Sequence, residues 1–327
     1  MGLFGLLGVA IAGVGADEGT DWQQKFYNPQ PAEGDLLVPM PCGGAMVFRS
    51  IGTEGDGVGA LSDKIIELGS DAEDVGYAEY RRLAQVAGGF AADDLDVDGS
   101  PDERRMLIGK YEVTALQYQA VMSVAGGDDA TCAKESSAGR MPQTKVGWHD
   151  AVRFADAWSL WLRAQAESLP DCRKLQVPCL PRVDGEPAFV RLPTEVEWEY
   201  AARAGGVERF SWGDRWDVGM ANGLGTEGVD HWGAEAPVGR FPPNPWGTYD
   251  LFGNASEWVQ DVYHPSYSGA PRDGRAWEQE IGPISERKRV VRGGSFADPG
   301  SKQRVSDRVN RRPDEVHRGT GFRCATD

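Results

Sequence analysis

Apolar residues recur along the chain in three helical stripes separated by short strand-like runs. Trp148, Val152, Ala155, Trp158 and Leu162 are spaced four, three, three and four apart, which puts one apolar face on a helix beginning near His149. Thr114 with Gln117 three residues on is a capping-box start for a helix reaching about Val124. Thr194 with Glu197 opens another, with Trp198, Ala201 and Ala202 on its buried side and Gly205 as its stop. Strand-like runs at 44–49 and 106–111 bracket a long acidic insertion, residues 52–104, in which 62–68 and 77–86 read as short helices. Beyond Gly206 the helical period disappears, and Gly, Pro, Asn and Trp punctuate short strands near Arg240, at 290–296 and at 321–324. No internal repeat is visible, which sets aside solenoids and propellers.

Composition narrows the partners. The 327 residues carry 34 basic and 50 acidic side chains, a net charge of −16 spread over the chain, which repels phosphate backbones and anionic lipid. Nucleic acid and membrane surfaces are therefore excluded as partners, whereas loops rich in Asp, Asn and Gly suit calcium, which takes six to eight oxygen ligands. Residues 2–16 are uncharged and end in small residues at Val14 and Ala16, before Asp17. This reads as a signal peptide over 1–16, although no Lys or Arg precedes the apolar run, and it implies export to the periplasm with no membrane span after its removal. A polar strap over 17–39 and one domain over 40–327 follow. Of the five cysteines, Cys172 and Cys179 are close enough in sequence to close a loop, while Cys42, Cys132 and Cys324 leave one thiol over, so pairing stays open. Asp94, Asp96, Asp98 and Gly99 match the first half of an EF-hand loop, but its twelfth position is Arg105 where a Glu is required.

The stretch Arg191-Leu-Pro-Thr-Glu-Val-Glu-Trp-Glu-Tyr-Ala-Ala-Arg-Ala-Gly-Gly206 resembles a hallmark of the formylglycine-generating enzyme, or sulfatase-modifying factor, family. In family order come Lys110-Tyr-Glu-Val-Thr114, Val146-Gly-Trp-His-Asp-Ala151, Ala236-Pro-Val238, Asn244 to Trp258, Arg292-Gly-Gly-Ser-Phe296 and Gly321-Phe-Arg323. The resemblance implies an α+β fold, a variant of the C-type lectin fold with little regular structure. It also implies two calcium sites. One falls on Asp250, the carbonyls of Gly253 and Ala255, and Glu257; the other falls on Asn222, Gly223, Asp230 and Trp232. In Asp250-Leu-Phe-Gly-Asn-Ala-Ser-Glu257 the residues themselves agree, since a Gly-Asn turn between two carboxylates can aim both at one cation.

The chemistry departs from the family. Its catalytic members bind copper(I) through two cysteines after the Gly-Gly-Ser-Tyr stretch and oxidise a substrate cysteine; here those positions are Asp298 and Gln303, which supply no thiolate. No copper is expected, and the family's Trp before the acidic ligand is Ser256. The expectation is a calcium-binding module whose groove, with Ser256, Ser295, Asp298, Gln303, Arg304 and Arg308, holds a periplasmic protein or peptide segment. Arg304, Arg308, Arg311 and Arg312 stand together as a grip for an acidic partner. The chain is similar to accessory proteins of this family that act upstream of the transmembrane kinase in the type VI secretion threonine-phosphorylation pathway, which makes a kinase ectodomain or a secretion component the expected partner. The alternative is a cysteine-independent oxidative or tailoring enzyme like those that mature siderophore chromophores, with Asp298, and His317 near it, as acid/base candidates. A true formylglycine-generating oxidase is the third.

Overall fold

The computed structural model describes residues 21–53, 64–69, 82–86, 89–90, 104–125, 132–170, 178–183, 186–224 and 233–326. Two sheets carry the fold. In the first, β1 (Asp35–Met40), β2 (Gly44–Gly52), β6 (Arg104–Gly109), β14 (Ala325–Thr326) and β9 (Val190–Arg191) lie side by side, all antiparallel, with β5 (Gly89–Phe90) also on β6. In the second the order is β12 (Arg308–Arg311), β11 (Arg289–Arg292), β10 (Ser256–Val262) and β13 (Thr320–Phe322), with β10 and β13 parallel. Two hairpins complete the strands: β3 (Lys64–Leu68) with β4 (Arg82–Val86), and β7 (Arg182–Val183) with β8 (Glu186–Pro187).

The helices form where the caps and stripes place them. α1 (Ala115–Ala125) starts on the Thr114–Gln117 box, Gln117 accepting from the Thr114 amide at 2.9 Å. α2 (Trp148–Ala164) buries Trp148, Ala155, Trp158 and Leu162 together with Phe154, and Val152 packs half-buried beside them. α3 (Glu195–Arg203) closes its Thr194–Glu197 box at 2.8 and 3.2 Å, and Arg191 adds a two-pronged pair to Glu197. The left-handed stop falls on Ala204, one residue before Gly205, which is also left-handed. A buried indole N–H needs a partner, and four find one: Trp148 on the Val259 carbonyl, Trp158 on Pro39, Trp258 on Val146 and Trp198 on Glu257. These bonds join α2 to both sheets and α3 to the second.

Four expectations are corrected. The insertion segments expected as helices hold strands β3 and β4, because their apolar residues alternate: Ile66, Leu68, Ala84 and Val86 are buried while Ile65 and Leu83 point out. The polar strap ends at Asp35, where β1 begins and is buried along its length. No strand forms near Arg240, where Gly239 is left-handed and Pro242, Pro243 and Pro245 lack amide donors. The strand over 290–296 ends at Arg292, since Gly293 and Gly294 both turn left-handed, and 321–324 divides between β13 and β14, so Arg323 and Cys324 cross from one sheet to the other. The signal segment and the Asp94–Gly99 motif lie outside the described residues. Among the described residues no helix is long and apolar enough to cross a membrane.

Cys42 and Cys132, 90 residues apart, form a disulfide that ties the β1–β2 turn to the segment after α1. Cys179 is also disulfide-bonded, to a partner outside the described residues. Cys324 is a buried thiol in the main core, and burial pushes its pKa up, so it packs as a small apolar side chain.

Candidate functional site

The motif loop between Asp250 and Glu257 is built by three left-handed residues, Asp250, Gly253 and Asn254. Gly253 is obligatory there, because a Cβ would collide with the Asn222 carbonyl oxygen. The loop folds over a buried carboxylate centre. Glu112, in the turn before α1, accepts the Ala255 amide at 2.8 Å and the Asn254 side chain at 2.6 Å. Asp250 accepts the Gly239 amide through Oδ2, while its Oδ1 is buried without a partner among the described residues. Glu257 is held by Arg323 in a two-pronged pair, Nε to Oε2 and Nη2 to Oε1, both 2.6 Å, and Oε2 also accepts from Trp198. Arg323 spends its other donors on the carbonyls of Gly109 and Tyr249.

Three buried carboxylates thus share one guanidinium. Burial, followed by the charges of Asp250 and Glu257, pushes Glu112 well above the usual carboxylate range. Burial also pushes Asp250 up to about 6, with the Glu257 charge adding to it and the Gly239 amide and Arg323 opposing. The centre carries excess negative charge and an open oxygen, which suits a hard cation. Asn222 adds a second open oxygen: its Nδ2 donates to Asn254 and the Ala234 carbonyl, and its Oδ1 is buried and unpartnered. Of the expected calcium ligands, Asp250 and Asn222 each keep an open oxygen, whereas Glu257 is already committed to Arg323 and Trp198, and among the described residues no group of three or more His, Cys, Asp or Glu side chains is gathered for a metal ion. Gly253 and Ala255 stand in the loop as expected and Gly223 follows Asn222; Asp230 and Trp232 lie outside the described residues.

The positions of the copper-binding cysteines are filled by a closed hydrogen-bonded turn. Gln303 is fully buried, and its Nε2 donates to the carbonyls of Ser295 and Asp298, both at 2.8 Å. Asp298 turns its carboxylate back onto Ser295, accepting the amide at 2.9 Å and the hydroxyl at 2.6 Å. This is an Asp-capped turn, held through Oδ2 alone. The Trp216 ring lies against Gly300 and Gly223 on either side of Gln303, where any Cβ would strike it. Ser256 is buried: its hydroxyl donates to the Gly319 carbonyl and pairs with Thr320, which in turn contacts Nδ1 of His317. Burial, then the Arg311 charge, lowers the His317 pKa.

Two of the four arginines of the expected grip are turned inward. Arg304 is buried in a pair with Asp307, and Arg308 is buried in a two-pronged pair with Glu195 at 2.6 and 2.9 Å. Arg311 pairs with Glu315 and Arg312 with Asp314. Arg304 and Arg308 pair inward because an unpaired buried charge is costly, whereas Arg312 and its partner Asp314 are more than half exposed. Glu112 and Arg323 were the residues missing from the sequence-derived site. Both stand inside quoted motifs, and their signal is a charged residue placed between apolar strand positions.

Comparison with known proteins identifies the family. The sulfatase-modifying factor enzyme 1-like domain matches residues 83–327. The chain belongs to this family. It is 36% identical over 151 residues to the formylglycine-generating enzyme of Streptomyces coelicolor, covering 42% of this chain and 46% of that protein. It is 34% identical over 149 residues to the inactive Cα-formylglycine-generating enzyme 2 of Mus musculus, 42% of each. A serine/threonine-protein kinase, pkn1, of Chlamydia pneumoniae is 36% identical over 137 residues, 41% of this chain and 20% of the kinase. The chain thus spans less than half the length of these relatives. Among solved structures, PvdO from Pseudomonas aeruginosa superposes with a TM-score of 0.63 at 23% identity, covering 91% of this chain and all of that one. Treponema denticola variable protein 1 gives 0.57 at 24%, covering 90% and 99%. Both share the α+β fold.

Proposed function

We propose that this family member is an exported, calcium-stabilised binding module that has exchanged copper chemistry for a fixed docking surface on a periplasmic protein. The observation that carries the reading is Gln303, fully buried and spanning two carbonyls where a thiolate ligand stands in catalytic members. Its Nε2 is taken by the two carbonyls while its Oε1 is buried without a partner among the described residues, and a neutral amide supplies neither a thiolate for copper(I) nor a titratable proton. Two disulfide-bonded sites support an oxidising compartment. The buried carboxylate excess and the open oxygens of Asp250 and Asn222 support calcium. The match to a segment of a serine/threonine kinase supports a partner in kinase signalling, the kinase ectodomain or a secretion component of the type VI threonine-phosphorylation pathway. The exposed rim of the surface is Arg318, whose guanidinium lies 4.9 Å over the Phe296 ring beside Ser295.

The test is capture from the organism's own cell envelope by the immobilised mature chain, residues 17–327, in calcium and in chelator. The expected result is a kinase ectodomain or secretion component retained in calcium and lost about tenfold in chelator and with Arg318→Glu. Retention of a siderophore precursor instead, abolished by Asp298→Ala, would favour the tailoring enzyme and overturn the binding reading.

A further inference from the structure

A cleft of about 550 Å³ opens between β3 and the turn that follows α3, and it shares no residue with the carboxylate centre or with the Ser295–Gln303 turn. Its floor is apolar, made by Ile66, Val305 and the edge-to-face pair of Tyr200 and Trp246, whose centroids are 4.8 Å apart. The lips are Ile65 and Val207, both largely exposed. Charged side chains ring the opening: Lys64, Arg203 and Arg209, against Glu67 and Glu208. Glu208 bends back to accept the Val207 amide at 2.9 Å. The ring is therefore net positive in a chain of net charge −16.

The inner wall has a reason to be positive. Glu199 takes Arg203 through Oε1, at 3.0 and 2.6 Å, and Arg292 through Oε2. Arg292 also approaches Glu195 at 3.7 Å, and Glu195 is held by Arg308. Three guanidiniums thus alternate with two carboxylates along one ion chain. Arg292 at its middle is wholly buried, whereas Arg203 surfaces in the cleft. The unbalanced charge is most favourably met by an anion at Arg203, because an anion near Arg308 would face Asp261, Tyr263 and Tyr267. Volume and lining match those of small-molecule sites, with an apolar body and a few convergent polar groups.

We propose that this cleft binds an amphiphilic organic anion, with an aromatic or branched alkyl body against Trp246 and Ile66 and a carboxylate or sulfonate head at Arg203 and Lys64. Nε and Nη2 of Arg203 are taken by Glu199 and the Gly69 carbonyl, so the guanidinium meets an oxyanion through Nη1, and the Lys64 ammonium adds a point charge. One wall is β3, so the site is something the 52–104 insertion adds to the fold.

The test uses the full chain and 8-anilinonaphthalene-1-sulfonate as the fluorescent probe, displaced by a matched pair of naphthalene-2-sulfonate and naphthalene-2-methylammonium. The expected result is saturable binding of one probe per chain, with the sulfonate displacing it at a concentration at least about tenfold below that of the ammonium. Trp246→Ala weakens binding about tenfold or more, and Lys64→Glu weakens it about three- to tenfold, an effect that shrinks as salt is raised. Arg312→Glu, outside the cleft, leaves it unchanged. Equal displacement by the two competitors overturns the proposal, and that comparison needs no variant to fold. Undiminished binding in Trp246→Ala, with a native melting temperature, overturns it as well.

Discussion

Arg323→Ala is expected to destabilise the fold by about 3–5 kcal/mol, measured by urea unfolding in the presence of chelator. The side chain is wholly buried and serves four acceptors: both oxygens of Glu257 and the carbonyls of Gly109 and Tyr249. Its loss strands Glu257 as a buried charge next to Asp250 and Glu112, whose pKa values are already raised first by burial and then by charge, that of Glu257 on Asp250 and those of Asp250 and Glu257 on Glu112. It also unties the crossing from β13 to β14, where the chain passes between the two sheets. Arg323→Lys rescues little, since one ammonium cannot span a carboxylate and two carbonyls. Removing both charges, as Glu257→Leu with Arg323→Leu, is expected to cost less than the sum of the two single changes by at least about 1 kcal/mol. A loss below about 1 kcal/mol for Arg323→Ala would show that the centre is not the electrostatic hub its geometry implies.

Chelation is the second large effect. A cation bound only by the native state stabilises it by about 3–4 kcal/mol per site at a hundred to a thousand times its Kd. At about 2–4 °C per kcal/mol for a chain of this size, calcium removal is expected to lower the melting temperature by about 6 °C or more. The pH dependence fixes the sign. Without metal, the folded-state pKa of Asp250 is raised to about 6 from an unfolded value near 3.8, so its favourable contribution is present below about pH 4 and lost as pH rises through 6. With calcium the carboxylate is needed ionised, and a proton competes with the ion. The calcium-induced gain is therefore expected to be largest at pH 7.5 and to shrink towards pH 5. Asp250→Ala removes one site and Asp230→Ala the other. A melting temperature indifferent to chelator at pH 7.5 would remove calcium from the account.

Local signals carried much of the fold. The Thr114–Gln117 and Thr194–Glu197 boxes and the Trp148–Leu162 stripe place three helices, because capping and amphipathic packing depend on residues three or four apart. The motif loop was legible for the same reason. The β3–β4 hairpin was missed because Tyr77, Tyr80 and Leu83 mimic a helical spacing, while the alternation that decides is only five residues long on each strand. Arg308 was misread because its partner Glu195 lies 113 positions away, and Arg323 was missed because Glu257 lies 66 positions away. Charge in the sequence says that a pair is needed and not where it closes. The cleft beside Trp246 was illegible for a related reason, since its walls come from residues 64–69, 200–209, 246 and 305–306.

The central claim is that the copper oxidase site of this family has here become a closed turn. The most direct test incubates the mature chain with copper(I), oxygen and a peptide bearing a substrate cysteine, then weighs the peptide by mass spectrometry and assays the protein for bound copper. The account predicts an unchanged cysteine and no stoichiometric copper, because Asp298 and Gln303 supply no thiolate and sit in a hydrogen-bonded turn with Ser295. An aldehyde in place of the thiol, formed catalytically and with copper retained, would contradict it.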